Sequence, residues 1–199
     1  MKKIVLASRN PDKIVELREI LKPLDIELLS ATDFPDLEEV VEDGETLQEN
    51  AAKKARYVAK ETGLPALADD TGLEVEALDL RPGVYSARYA GEDVTYEENV
   101  QKLLREMSPF PEEEQRKAHF RTVIAFIYDD EEQYFEGRCP GYILKEPTGN
   151  NGFGYDPVFK PKGYNQTFAE LDQTEKNRIS HRGKAVRKFY EWLEKHRDF

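Results

Sequence analysis

Several short segments of this sequence bring together residue types that can hold or transform an anionic ligand. Ser8-Arg9-Asn10-Pro11-Asp12-Lys13 lies where a short apolar run gives way to a helical pattern. Backbone N–H groups at a helix N-terminus attract phosphate, and Ser, Asn and Lys add donors and charge. The same residues also describe an ordinary N-capped helix with a solvent-facing Lys13. No GxxxxGK[ST] phosphate loop occurs anywhere in the chain. The second segment is Ala68-Asp69-Asp70-Thr71-Gly72. Adjacent acids at a strand end can bind Mg²⁺ through a carboxylate and water, although an Asp-to-Gly β-turn uses the same residues. Glu42 and Asp43, in an acidic stretch, offer a further ligand or simply a solvated face.

Lys54 flanks the apolar arc of a long helical pattern, where an ammonium needs a partner or must snorkel outward. Lys53, four residues after Glu49, suits an exposed i,i+4 pair. Gly149-Asn150-Asn151-Gly152-Phe153-Gly154-Tyr155-Asp156-Pro157 lacks the glycine spacing of a dinucleotide fingerprint. Its glycines allow close approach to a flat ligand and Phe153 is available to stack, but a plain hairpin loop fits too. Lys176 with Ser180-His181-Arg182 places cations at the start of the last helical pattern. That position opposes the helix dipole unless a ligand compensates.

The elements that must position these residues follow from periodicity. Lys2–Ser8 reads as a buried strand, and Asn10-Pro11 opens a helix with Ile14, Leu17, Ile20 and Leu21 on one face. Ile26–Leu29 is the next strand, followed by an acidic loop from Asp33 to Glu45. Thr46 caps a helix running to Thr62 that Gly63 and Pro65 end. Leu64–Ala68 and Leu73–Leu78 read as two strands flanking the Asp69-Asp70 turn. Thr95–Met107 is helical, Ala118–Tyr128 and Gln133–Leu144 form a hairpin around Asp129–Glu132, and Ser180–His196 is the final helix. Strands and helices alternate, with a hairpin in the second half, which predicts an α/β fold with a mixed sheet.

Composition narrows the function. Leu, Ile, Val and Phe number 48, or 24% of the chain, above the roughly 20% below which a charged sequence stays disordered. No apolar run approaches the ~18–20 residues needed to span a bilayer, and Ile4–Ala7 is too short for the core of a signal peptide. These features predict a soluble cytoplasmic protein. Cys139 stands alone, which excludes an internal disulfide and a cysteine zinc site; it reads as packing. A net charge of −11 argues against nucleic-acid binding. Residues 150–199 are nevertheless net +3 against −14 for the rest, which suits a small anion.

Taken together, the segments resemble the inosine triphosphate pyrophosphatase family. Six motifs match in order: Ala7 through Lys13, Glu49-Asn50-Ala51 with Lys54-Ala55, Ala68 through Leu73, Pro82 through Arg88, Gly152 through Pro157, and Lys176 with Ser180 through Gly183. The resemblance implies a single domain over 1–199, elongated, with a long central mixed sheet and two lobes around a substrate cleft, assembled as a homodimer. It implies Mg²⁺-dependent hydrolysis of ITP, dITP and XTP to monophosphate and pyrophosphate, which keeps these nucleotides out of DNA and RNA. Ser8, Asn10, Lys13 and Lys54 would hold the triphosphate, with Arg9, Pro11, Asp12 and Thr71 in the same contacts. Asp70 would be the catalytic carboxylate and, with Glu42, a metal ligand, Asp69 lying beside them. Phe153 would stack on the base, and Asp156, Lys176, His181 and Arg182 would read its edge, beside Gly154 and Tyr155. Neither nucleic acid nor membrane is implied as a partner. Two other functions share these residues: a pyrophosphatase for other modified nucleotides, and a non-catalytic purine nucleotide sensor in which Asp70 is dispensable.

Overall fold

A computed structural model describes residues 2–23, 26–129 and 131–196. The order of elements is β1 (Lys2–Leu6), α1 (Pro11–Leu21), β2 (Ile26–Ser30), α2 (Leu47–Thr62), β3 (Ala66–Val75), β4 (Pro82–Gly83), α3 (Tyr96–Glu106), β5 (Lys117–Tyr128), β6 (Glu131–Ile143), β7 (Phe159–Pro161), α4 (Gln173–Ile179) and α5 (His181–Lys195). The fold is α/β. Its seven-stranded mixed sheet has the order β2-β1-β3-β5-β6-β7, with β4 paired to β3. The chain divides into two compact units. The first comprises the described parts of 1–70, 122–137 and 182–199, the second 71–121 and 138–181.

In the first unit β1 pairs in parallel with β2, from Lys2 opposite Ile26 to Leu6 opposite Ser30, and with β3 at Ala66 and Leu67. The strands here are covered on both faces, which explains their near-continuous apolar runs. Alternation sorts the side chains. Ile4, Leu6, Leu67, Ile124 and Phe126 pack with Ile14 and Leu17 of α1 and Phe189 of α5. Val5, Ala66, Ala68, Ala125 and Ile127 pack with Ala51, Ala55 and Val58 of α2. Helix α1 starts because the Asn10 side chain accepts the N–H groups of Asp12 and Lys13 while Pro11 supplies a fixed φ at the first position. Helix α2 opens on a reciprocal Thr46–Glu49 cap and closes on Gly63 at φ 65°, a backbone conformation that favours glycine.

The second unit closes over Leu73, Val75, Leu103, Met107, Phe120, Phe159 and Phe168, with Cys139 buried among them. Here β4 runs antiparallel to β3, with Leu73 opposite Gly83, and β7 antiparallel to β6. Arg116 staples this unit by donating to the carbonyls of Met107, Phe110, Ile143 and Leu144 at 2.7–2.9 Å.

Three sequence expectations are corrected. The two strands predicted around an Asp69-Asp70 turn are one strand, β3, with the acids in its interior. Gly72 serves a close approach of β4 rather than a turn: a Cβ there would lie 2.6 Å from the Gly83 carbonyl oxygen. Glu131 and Glu132 belong to β6 instead of the hairpin turn, of which Asp130 lies outside the described residues. Strand β7 and helix α4 are additional elements that sequence periodicity missed, because both are short.

Phe189 has no exposed surface and its ring lies 5.0 Å from that of Phe126 and 5.4 Å from that of Phe135. Phe189→Ala is expected to lower unfolding stability by about 3–5 kcal/mol, measured by denaturant titration.

Candidate active site

The residues predicted from sequence fall into two clusters, one in each unit. The first is organised by β3. Because successive side chains on a strand point to opposite faces, Asp69 follows Leu67 toward α1 and α5, whereas Asp70 follows Ala68 toward α2. Asp69 and Asp70 are only 2% and 5% exposed, and buried carboxylates require cations. Asp70 finds Lys54, whose Nζ donates to Asp70 Oδ1 at 2.8 Å, to Glu42 Oε1 at 2.7 Å and to the Asp69 carbonyl at 3.3 Å. Lys54 therefore does not snorkel. Burial alone would pull its pKa down, but the Asp70 and Glu42 carboxylates outweigh that and hold it above the ordinary lysine value. Burial lifts the Asp70 pKa above that of a free carboxylate; Lys54 opposes the shift and Glu42 adds to it.

Asp69 is held differently. Its Oδ2 accepts from Arg182 Nε at 3.1 Å and Nη2 at 2.9 Å, and lies 3.4 Å from Lys13 Nζ. Arg182 Nη1 donates to the Glu16 carboxylate of α1. Burial would raise the Asp69 pKa, but Lys13, Arg182 and Lys54 together force it far below the carboxylate range. Expected as a metal-side acid, Asp69 thus directs this oxygen to Arg182 and Lys13. Arg182, expected at the base edge, directs its fork to Asp69 and Glu16. Glu16 escaped the sequence reading, although an acid one turn after Lys13 and next to buried Leu17 was the available signal.

At the start of α1, the Asp12 and Lys13 amides donate to Asn10 Oδ1 at 2.9 and 3.2 Å, and the Ile14 amide to the Asn10 carbonyl at 3.1 Å. Pro11 has no N–H to offer. Charge at this helix end is therefore supplied by Lys13 rather than by orphan backbone donors. The Ser8 hydroxyl accepts the Asn10 amide at 3.2 Å, and Arg9 Nη2 donates to the Leu37 carbonyl at 2.6 Å, tying the turn to the acidic loop. Lys53 pairs with Asp43 at 2.6 Å instead of Glu49, whose carboxylate is engaged by the Glu45 and Thr46 amides.

The described residues include no group of three or more His, Cys, Asp and Glu side chains able to cage a metal. Glu42 and Asp70 nevertheless fit a hard cation. Both present a carboxylate oxygen within 2.8 Å of one nitrogen, so a divalent ion could replace the ammonium between them. Mg²⁺ is usually held by one or two carboxylates, with water and phosphate completing its shell.

The second cluster lies on the glycine-rich loop and α4. The Phe153 amide donates to Asp156 Oδ2 at 2.9 Å, and Lys176 Nζ donates to the same oxygen at 2.8 Å. Gly152, at φ 75°, leaves no room for a Cβ beside that carboxylate. The Lys176 ammonium lies 5.1 Å from the Phe153 ring centre and 5.9 Å from that of Phe168, a cation–π arrangement. Tyr96 also meets Phe153, at 5.9 Å. His181 stacks on Phe120 at 4.5 Å, which fixes its ring plane. Tyr155 donates to the Ser86 carbonyl at 2.8 Å, and burial raises its pKa. Gly154, at φ 62°, has open space where a side chain would stand, and Thr71 is half-buried on β3. Tyr96, Phe120 and Phe168 were not predicted; their roles depend on contacts between distant segments that carry no local pattern.

The buried Asp69–Arg182–Glu16 triad has a consequence for stability. Asp69, with its pKa depressed from 3.8, stabilises the fold above about pH 4, and this contribution fades as pH falls through its folded value. Asp69→Asn is expected to lose about 3–5 kcal/mol at neutral pH and to show a shallower loss of stability on acidification, measured by urea unfolding at several pH values.

The Ham1 family model matches residues 4–192. A dITP/XTP pyrophosphatase of Porphyromonas gingivalis is 49% identical over 97% of this chain and 98% of its own length. One of Geobacter sulfurreducens is 51% identical over 94% of each chain. Among solved structures, a HAM1 protein from Coxiella burnetii aligns with a TM-score of 0.89 and 44% identity, covering 98% of this chain and all of its own. The Staphylococcus aureus Ham1 protein aligns at 0.87 and 39%, with the same coverage. With the family model spanning nearly the whole sequence and relatives near half identity end to end, the chain belongs to the Ham1 family.

Proposed function

We propose that this protein hydrolyses the non-canonical purine nucleoside triphosphates ITP, dITP and XTP at the α–β phosphoanhydride, releasing the nucleoside monophosphate and pyrophosphate. The observation that supports this reading is Lys54 held between Glu42 and Asp70 beside Lys13, an arrangement of exchangeable charge suited to a polyphosphate and a divalent cation. The names of the related enzymes supply the substrate class.

In this reading Lys13 and Lys54 neutralise the phosphates, with Ser8, Arg9, Asn10, Pro11, Asp12 and Thr71 shaping that end of the site. Glu42 and Asp70 would hold Mg²⁺. When bound, the ion would screen the phosphates and lower the pKa of water at the α-phosphorus. Asp70 accepts the proton of the attacking water; burial raises its basicity above that of a free carboxylate, the direction a general base needs. Asp69 is the anchor that keeps Lys13 and Arg182 in place.

The base is assigned to the second cluster. Phe153 stacks on it, beside Gly154 and Tyr155. Lys176, whose ammonium is fixed by its bond to Asp156, would donate to the 6-carbonyl of hypoxanthine or xanthine. Adenine presents an amino donor there, so a buried cation would face another donor. His181 completes the base end, while Arg182, expected there, is held by Asp69 and Glu16. The protein would work as a homodimer in the cytoplasm, with neither nucleic acid nor membrane as partner. Composition supports the latter part of that reading, and among the described residues no helix is long and apolar enough to cross a membrane.

³¹P NMR of the protein with Mg²⁺ and ITP, XTP or ATP is expected to show monophosphate and pyrophosphate from the first two and intact ATP. Diphosphate with orthophosphate would refute attack at the α-phosphorus. Asp70→Asn is expected to bind ITP yet lose at least about 100-fold in kcat, the lower end of a general base's contribution; unchanged turnover would remove Asp70 from the chemistry. Lys176→Met is expected to reduce the ITP-over-ATP ratio in kcat/KM by about 100-fold or more, read from competing-substrate assays.

A further inference from the structure

The acidic segment before α2 is bound to that helix residue by residue, in reverse order. Glu42 meets Lys54 at 2.7 Å and Asp43 meets Lys53 at 2.6 Å. The Gly44 amide donates to Asn50 Oδ1 at 2.8 Å, and the Glu45 and Thr46 amides donate to Glu49 Oε2 at 2.8 and 3.1 Å. Five consecutive residues are thus strapped to the first two turns of α2. Three of these attachments, those of Asp43, Glu45 and Thr46, lie in the open where water and salt weaken them, and the fourth is the Glu42–Lys54 pair itself. The Gly44–Asn50 bond is different: Asn50 has no exposed surface.

Asn50 is an expensive residue to keep there. Its Nδ2 has no hydrogen-bond partner among the described residues, and a buried donor left unused is destabilising. The position faces the alanine-lined side of α2, where Ala51 and Ala55 are also fully buried, so an apolar residue would pack without that penalty. Gly44 is fitted to it as well, since a Cβ would stand 2.7 Å from Asn50 Oδ1 and 2.9 Å from the Glu49 Cβ.

We infer that Asn50 is a positioning residue for Glu42: by fixing the Gly44 amide it holds the strap in the register that brings the Glu42 carboxylate to Lys54 and Asp70. It touches neither substrate nor metal and acts through Glu42. The inference rests on the reading of Glu42 as a ligand of the divalent cation and extends it to the residue that aims that ligand.

Amide exchange of the protein alone, followed by ¹⁵N NMR, tests the strap. Asn50→Ala is expected to speed exchange of the Gly44 amide by about ten-fold or more, with Ala185 and Val186 of α5 unchanged. Half-saturating Mg²⁺ for ITP hydrolysis should rise by about ten-fold, as for loss of an outer partner of a metal ligand, while KM for ITP at saturating Mg²⁺ stays within about two-fold. Gly44→Ala attacks the same contact from the other side and should give the same signature. Combined, the two should cost no more than the larger single effect, because they break one interaction. Unchanged Gly44 exchange, additive effects, or a lower kcat with an unmoved Mg²⁺ requirement would each overturn the inference. Absence of ITP turnover in the unsubstituted protein would instead refute the proposed function, and the exchange result would still decide the strap.

Discussion

Two adjacent carboxylates buried in the middle of a strand impose a demand that much of the first unit is built to meet. An extended backbone sends Asp69 and Asp70 to opposite faces of the sheet, so the two side chains are met at contact distance by different cations. On the α2 face Lys54 answers Asp70; on the other face Arg182 and Lys13 answer Asp69. Each cation comes from a different helix. The starts of α1 and α5 and the second turn of α2 must therefore all reach the same two residues of β3. Their apolar faces, Leu17, Ala51, Ala55 and Ala185 among them, secure those helices by burial. The pair of acids then fixes where along the strand each helix presents its charge.

The arrangement also reconciles an acidic chain with an anionic ligand. Net charge is −11, but field strength at a site depends on which charges are near and how poorly water screens them. Lys54 and Arg182 are buried, so their charge is only lightly screened. Without ligand, carboxylates of the protein balance them. In the proposed function a polyphosphate arriving with a divalent cation would take over both halves of the Lys54 balance, the phosphate facing the ammonium and the metal facing Glu42 and Asp70. Such an exchange creates little uncompensated buried charge, which is the large cost in any ionic site.

How much of this was legible in the sequence depends on whether the signal was local. The Asn10 cap, the Thr46-to-Gly63 limits of α2 and the placement of Lys54 beside its buried face follow from rules that act within a turn or two, and the structure matches them. Asp69-Asp70-Thr71-Gly72 misled because its composition is that of a turn. The strand persists there since cations from three helices offset the burial of the acids, and β4 needs Gly72 for close approach. Glu16, Phe120 and Phe168 owe their roles to partners far away in sequence. Composition leaves the acidic segment before α2 as either a further ligand or a solvated face; its regular attachment to the helix becomes visible only when its amides can be followed to Asn50 and Glu49. The Ham1 motifs were readable because six of them recur in order, although each alone had an ordinary structural explanation.

The choice of lysine on one face and arginine on the other is itself informative. Arg182 offers a rigid planar fork, and here two of its nitrogens grip Asp69 Oδ2 while a third reaches Glu16. Such a multiply anchored guanidinium exchanges partners reluctantly and defines geometry well. Lys54 is a single nitrogen on a flexible stem, holding Glu42 and Asp70 through contacts with no angular lock between them. A point charge of that kind can slide from carboxylate to phosphate without rebuilding a planar network. Replacing Lys54 by arginine would preserve the charge and still change the behaviour, since the fork would fasten the two acids together as Arg182 fastens Asp69 to Glu16. The side fastened by a planar network carries arginine, and the side to which the proposed function assigns an exchange of partners carries lysine.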